Sequence, residues 1–344
     1  MKKILFIDDG IEFDGLTVKE KPSGGAESSF VSLTEALAKR NHEICVYNNC
    51  KNIGIINDVS WNKLSSKIYD EYFDILVLNR GDKFLNFNKK CKKRIFWIHN
   101  PAKYLLKYRY LKKLFCNPAH IVFSGKYHLS TFPKWAPCKN RSIIPYGIDN
   151  FIFESVSSLK LPKPNVIFTS NPERGLEWLL DRWENDIFPK VPNSKLNLFS
   201  GLSTYADFGK KKIEKIEPIL KRASSLKKKG VTLYNPIKRT ELLKFIKKSR
   251  LFLYKGSTEE TFCMSVAEAQ VLGIPTVVKN LGCMEERVIN KKTGYVCNND
   301  NEFSLNTIKI LKDDKCWLKM HKYMLQNNLH NSWQEIAKMW EKLF

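Results

Sequence analysis

Short apolar runs alternate with amphipathic stretches along almost the whole chain. The first run, residues 3–8, is too short and too soon acidic to be a signal peptide and reads as a strand. Similar runs at 43–47, 75–79, 94–98, 121–124 and 142–144 read as buried strands. A second set follows at 166–169, 196–199, 231–234, 250–254 and 276–278. The segments between them carry helical periodicity. In 26–40, Phe30, Leu33, Leu37 and Ala38 share one face. Residues 61–72 read as helical. In 104–115, Tyr104, Leu105, Tyr108, Leu111 and Phe115 line one face, with Lys107, Arg109, Lys112 and Lys113 on the other. Helices are also expected at 176–183, through a basic region up to 229, at 239–248 and at 264–272. The chain closes with two or three more, the last at 332–343 with Ser332 as its cap and Trp333, Ile336, Ala337 and Trp340 apolar.

Strand, helix, strand is the unit of a parallel sheet, and here it recurs in two sets. The polar segment 154–165, with its Pro-Lys and Lys-Pro steps and serines, reads as a linker. The expected fold is therefore α/β, with two Rossmann-like domains. The first is placed at 1–150 plus the helix at 329–344, and the second at 151–328.

The second domain holds the most informative stretch. Glu260 falls in the loop after the strand 250–254, and Glu268 lies on the helix that follows. Open parallel sheets bind ligands at the carboxyl ends of their strands, where free N–H groups of a helix start face an anion. Two carboxylates there can accept hydrogen bonds from ribose or sugar hydroxyls, which backbone amides cannot do. The same two residues also suit a first-turn glutamate and a solvated one, and the stretch alone leaves both readings open.

Residues 260–269, Glu-Thr-Phe-Cys-Met-Ser-Val-Ala-Glu-Ala, resemble the Glu-x7-Glu signature of retaining glycosyltransferases of the GT-B fold, family 4 (group 1). Glu260, Phe262, Glu268 and Ala269 match the pattern, while Cys263 stands where that family usually has glycine. Gly24-Gly25-Ala26-Glu27 resembles the family's Gly-Gly-x-Glu loop, where glycine lets a phosphate or acceptor approach the backbone. His99, after the strand 94–98, matches a histidine near the donor sugar. Residues 144–149, with Pro145, Gly147 and Asp149, resemble the link between the two domains. Pro172-Glu173-Arg174-Gly175-Leu176 matches the strand-to-helix turn that carries a cation for the donor's diphosphate, with arginine in place of the usual lysine. A second cation of that clamp is missing from its usual place, and Lys238 or Arg239 could supply it. Lys292-Thr293-Gly294-Tyr295-Val296 resembles the turn after the sugar-binding region.

The resemblance implies two domains facing each other across a cleft, with the C-terminal helix crossing back to the first. It implies sugar transfer from a nucleotide-sugar donor to a glycan or lipid-linked acceptor, with retained anomeric configuration. Glu260, His99 and Arg174 are then the expected catalytic residues. Glu268, Gly24, Gly25, Thr261, Phe262, Cys263 and Lys238 are expected to bind the donor, with Glu268 on the ribose. No Asp-x-Asp is present, in keeping with an enzyme that needs no metal or other cofactor.

Composition adds bounds. The chain has 344 residues and a net charge of +23. Residues 83–115 hold eleven Lys or Arg and no acid. Such a balance permits nucleic acid, an anionic membrane or an anionic substrate, and a lysine-rich codon bias produces it too. Nucleic acid is not expected, because no recognition module is present. Peripheral contact with an anionic membrane is an expectation for the aromatic and basic segment 104–115. The nine cysteines include no Cys-x-x-Cys pair, which points to free thiols in a reducing cytoplasm. No apolar run approaches the roughly 18 residues of a membrane span. Two rivals stay open: a basic nucleic-acid-binding protein, and an epimerase or synthase acting on nucleotide-sugars with the same fold.

Overall fold

In the computed structural model, residues 1–21, 23–64, 72–87, 91–155, 161–201 and 210–344 are described, with side chains from 212 in the last segment. The chain divides into two compact units. One comprises Met1–Asp149 with Asn331–Phe344, and the other Asn150–His330.

The first unit is built on eight strands: β1 (Lys3–Asp8), β2 (Glu43–Asn48), β3 (Gly54–Ile56), β4 (Val59–Lys63), β5 (Phe73–Asn79), β6 (Cys91–Trp97), β7 (His120–Phe123) and β8 (Asn140–Ile143). Their order across the sheet is β3-β4-β2-β1-β5-β6-β7-β8. All neighbours are parallel except β3 and β4. Strands buried on both faces read as continuous apolar runs, and Ile4 to Ile7 and Ile75 to Leu78 are each at most 2% exposed. The helix Gly25–Ala38 sets Phe30 edge-on against Phe6, with ring centroids 5.4 Å apart. The last helix, Trp333–Glu341, begins with a capping box between Ser332 and Glu335. It buries Trp333, Ile336, Ala337 and Trp340 in this same unit, with Trp340 edge-on to Trp97. Arg40 fastens its far end by an ion pair of 2.6 Å to Glu341.

Two sequence expectations change here. Residues 61–63 are strand, not helix. Val59 and Trp61 are fully buried, with Ser60 and Asn62 half-buried between them, which is a period of two. Asn57 and Asp58, at φ of 49° and 64°, turn β3 back onto β4 as a two-residue hairpin. The rest of that expected helix, 65–71, lies outside the described residues, as does 156–160 of the expected linker. The segment 104–115 is not one helix. A 3-10 turn, Ala102–Leu106, ends at Lys107, whose backbone is extended, and a new helix runs Tyr108–Cys116. The extended residue resets the phase. Tyr110 and Leu114 face the core, while Tyr108 and Phe115 are 77% and 79% exposed.

The second unit has six strands: β9 (Asn165–Phe168), β10 (Lys195–Phe199), β11 (Val231–Tyr234), β12 (Leu251–Tyr254), β13 (Thr276–Lys279) and β14 (Gly294–Cys297). They are all parallel, in the order β11-β10-β9-β12-β13-β14. Residues 294–296, expected only as part of a turn, begin strand β14. Helices Leu176–Arg182, Lys210–Ser225, Arg239–Lys247, Met264–Val271 and Asp300–Lys312 lie between or after the strands. Among the described residues, no helix is long and apolar enough to cross a membrane.

Candidate active site

Parallel strands deliver their loops to one edge, so the carboxyl ends of β9, β11 and β12 gather the site residues of the second unit. After β9 the chain makes a 3-10 turn, Pro172–Arg174, capped by the Asn171 side chain. Gly175 follows at a φ of 92°, and the Lys255 side chain lies so close that a Cβ there would fall 2.5 Å from its Cδ. Only glycine meets both conditions. The turn sets Arg174 Nη1 3.7 Å from Glu260 Oε2. That nitrogen is buried and has no hydrogen-bond partner among the described residues. A buried guanidinium N–H that faces a carboxylate without a hydrogen bond is costly in a free protein.

Glu260 is held from the other side by Tyr254, whose hydroxyl donates to Oε2 at 2.7 Å. Burial, then the neighbouring Cys263 and Glu260, push the Tyr254 phenol far up, so it stays a donor. Glu268 lies on the helix Met264–Val271 and is only 8% exposed. Arg239, first residue of the helix Arg239–Lys247, makes an ion pair with it, and its guanidinium also sits over the Phe151 ring at 5.9 Å. Arg239 thus orients the carboxylate. Lys238 stands exposed at the start of the same helix.

Thr261, Phe262 and Cys263 are buried. Phe262 has the Arg287 guanidinium 4.5 Å from the centre of its ring. Cys263 caps the helix Met264–Val271 with a left-handed backbone, φ 65° and ψ 77°. This conformation explains why glycine is the common residue in the resembling signature. Burial first, then the charge of Glu260, holds the Cys263 thiol well above its ordinary range, so it is a thiol and not a nucleophile. Cys263→Gly should therefore fold normally, because relief of about 1–2 kcal/mol of left-handed strain offsets the lost thiol contacts. Cys263→Val should lower the melting temperature, since a branched Cβ suits this backbone worst. Thermal melts of the two variants check this; equal melting temperatures would show that the backbone is unstrained.

The carboxyl edge of the first unit carries a connected polar network. Asp8, fully buried at the end of β1, accepts from the Gly10 N–H at 2.7 Å and pairs with Arg80 at 3.0 Å. Arg80 also pairs with Glu27 at 2.6 Å. Glu27 folds back over Gly24, where a Cβ would fall 2.3 Å from its Oε2. The Gly24-Gly25 helix start therefore already faces a carboxylate. Asn79, at the end of β5, donates to Asp8 through its amide nitrogen and accepts from His99 Nε2 at 2.7 Å through its oxygen. His99 Nδ1 then accepts a hydrogen bond from the Tyr146 hydroxyl at 2.5 Å. Burial, and next the Arg80 charge, hold His99 well below its ordinary range, so the ring is neutral.

The sequence pairs Glu260 with Glu268 and places Arg174 nearby, and the structure brings all three to one edge. It also adds residues that the sequence reading missed: Tyr254, Asp8, Asn79 and Arg80, with Arg239 now on Glu268. Three of them, Asp8, Asn79 and Tyr254, are polar residues that end an apolar strand run, which is the available signal.

Residues 212–330 match the family model described as Glycosyl transferases group 1. This stretch of the second unit is similar to the group 1 glycosyl transferases. Comparison with curated protein sequences finds no match. Among solved structures, sucrose-phosphate synthase from Thermosynechococcus elongatus is similar, with a TM-score of 0.76 at 15% identity over 100% of this chain and 98% of that one. Anabaena HepE in complex with UDP and glucose gives 0.75 at 13%, covering 100% and 99%. WaaG, a glycosyltransferase involved in lipopolysaccharide biosynthesis, gives 0.67 at 12%, covering 98% and 99%. At such identities the likeness shows the fold, which is GT-B. The group 1 match covers Arg239, Glu260 and Glu268, while Arg174 precedes it.

Proposed function

We propose that this chain is a retaining, metal-independent glycosyltransferase of family 4. It moves a sugar from a nucleotide-sugar to a glycan or lipid-linked acceptor. The observation that carries this reading is the buried, unpartnered Arg174 Nη1 beside Glu260, one loop away from the oriented Glu268. Glu268 accepts the ribose hydroxyls and Glu260 the hydroxyls of the donor sugar. Arg174 neutralises the diphosphate as its bond to the anomeric carbon breaks, which replaces a metal's charge. The acceptor hydroxyl forms the new bond on the face the diphosphate leaves, and its proton departs with the leaving group. His99 is assigned to the donor sugar by resemblance. A ring nitrogen reaches a sugar hydroxyl only by exchanging Tyr146 or Asn79 as partner. HepE bound to UDP and glucose supports a uridine donor. Exposed Tyr108 and Phe115, flanked by Lys107 and Lys112, support docking of the first unit on an anionic membrane that carries the acceptor.

Thermal melts with UDP-, GDP- and ADP-sugars test the donor site. One of them should stabilise the protein, by roughly 2.7 kcal/mol at a hundred times its dissociation constant. Glu268→Ala should weaken that ligand by about 1.5–3 kcal/mol. No stabilisation by any of the three, or equal stabilisation of the variant, would count against the reading.

A further inference from the structure

Beyond the residues assigned above, the second unit has an open cavity of about 370 Å³ lined by Asn280, Glu285, Val288, Ile289, Asn290, Val296 and Asn298. Asn280 directly follows β13, and Asn298 directly follows β14. We propose that this cavity binds an uncharged pyranose ring of the acceptor or product glycan, as a subsite separate from the donor site. The inference rests on the glycan-transfer reading.

The chemistry of the lining carries it. Among the described residues no cation lines the cavity, and the neighbouring Lys279 is already held by the Asn298 carbonyl at 3.1 Å and by Asp300 at 2.9 Å, which disfavours a phosphate or carboxylate there. The polar groups are amides and one carboxylate, and they are set by bonds among themselves. The Asn280 amide nitrogen donates to Glu285 Oε1 at 2.7 Å and to the Asn298 side-chain oxygen at 3.0 Å. The Asn290 side-chain oxygen accepts from the Val296 N–H at 3.4 Å. These bonds use the amide oxygens of Asn290 and Asn298, and among the described residues their side-chain N–H groups are left to donate to a ligand. The Asn280 oxygen and the Glu285 carboxylate supply acceptors. A sugar hydroxyl both donates and accepts, so a wall offering both is its natural complement. Ile289, 41% exposed, and the half-buried Val296 give an apolar patch for the C–H face of the ring, with Val288 buried beneath.

The cavity also borders the donor site through one loop. Cys283 N donates to the Glu260 carbonyl at 3.1 Å. Gly282, at a φ of 59°, packs so closely that a Cβ would fall 2.4 Å from the Ser257 carbonyl oxygen. The loop 280–284 therefore carries Asn280 toward the cavity while bracing the loop of Glu260. A glycan held at the cavity lies beside the loop that positions the donor sugar.

Saturation-transfer NMR and titration calorimetry on the full chain test the subsite. The probes are the methyl α-glycosides of glucose, galactose, mannose and N-acetylglucosamine, and maltotriose. At least one should bind saturably, and Asn298→Ala, Asn280→Ala and Ile289→Arg should each weaken it at least fivefold. Because these residues are exposed, the variants should fold, and release of nucleotide from a donor in water should be unchanged in Asn298→Ala and Ile289→Arg. No saturable binding to the wild-type chain, or binding that none of the substitutions weakens, would overturn the subsite. If the probes bind at the cavity but no nucleotide-sugar is turned over, the transfer reading fails and the subsite stands.

Discussion

Arg174→Ala is expected to lower turnover of the nucleotide-sugar by about 100- to 1,000-fold, the cost of removing one preorganised donor to developing charge. The cause is local. Arg174 Nη1 is buried, unpartnered among the described residues and 3.7 Å from Glu260. In the free enzyme its charge faces Glu260 at ion-pair distance without a hydrogen bond, and it is expected to gain most in the transition state, where the diphosphate leaves. Affinity for the free nucleotide should therefore fall much less than kcat. Arg174→Lys should recover part of the rate, since a point charge replaces the fork without its geometry. Steady-state kinetics beside nucleotide titrations separate the two effects. A variant that loses folding yet keeps its rate per folded molecule would make Arg174 a structural residue.

The second large effect is acid instability between pH 6.5 and pH 5. Burial holds His128 down to about 4 and His330 down to about 3. His99 is also held well below its ordinary range. The unfolded chain takes up protons near pH 6.5 that the folded chain refuses, so stability is complete above that pH and is lost as pH falls toward the folded values. At pH 5 His128 and His330 each cost about 2 kcal/mol by this linkage. Carboxylates with lowered values, such as Asp14 and Asp74, titrate below this window. The midpoint of urea unfolding should drop clearly from pH 7.5 to pH 5. An unchanged midpoint would show that the rings are charged or exposed in the native state.

Much of the fold is legible in the sequence for a physical reason. A parallel strand covered on both faces must be apolar throughout, so β1, β5, β9 and β12 announce themselves. Strand β4 does not, because Ser60 and Asn62 interrupt Trp61 and the pattern also suits a helix. The break at Lys107 is silent, since no glycine or proline marks it. In the site, Glu260, Glu268 and Arg174 are legible through the resemblance of their two strand-loop-helix units to the Glu-x7-Glu family, since spacing alone also suits a first-turn glutamate and a solvated one. Partners brought from distant strands leave no such trace. Arg239 finds Glu268 across 29 positions, and Arg80 finds Asp8 across 72. The left-handed Cys263 was readable only as a departure from glycine, and its cause required the backbone.

The most direct measurement is the anomeric configuration of the product, read by NMR during turnover of the nucleotide-sugar that stabilises the protein. Release of the nucleoside diphosphate together with a glycoside of the donor's own configuration is the predicted result. An inverted product, or no release of nucleotide from any nucleotide-sugar that binds, would contradict retaining transfer at this edge of the sheet.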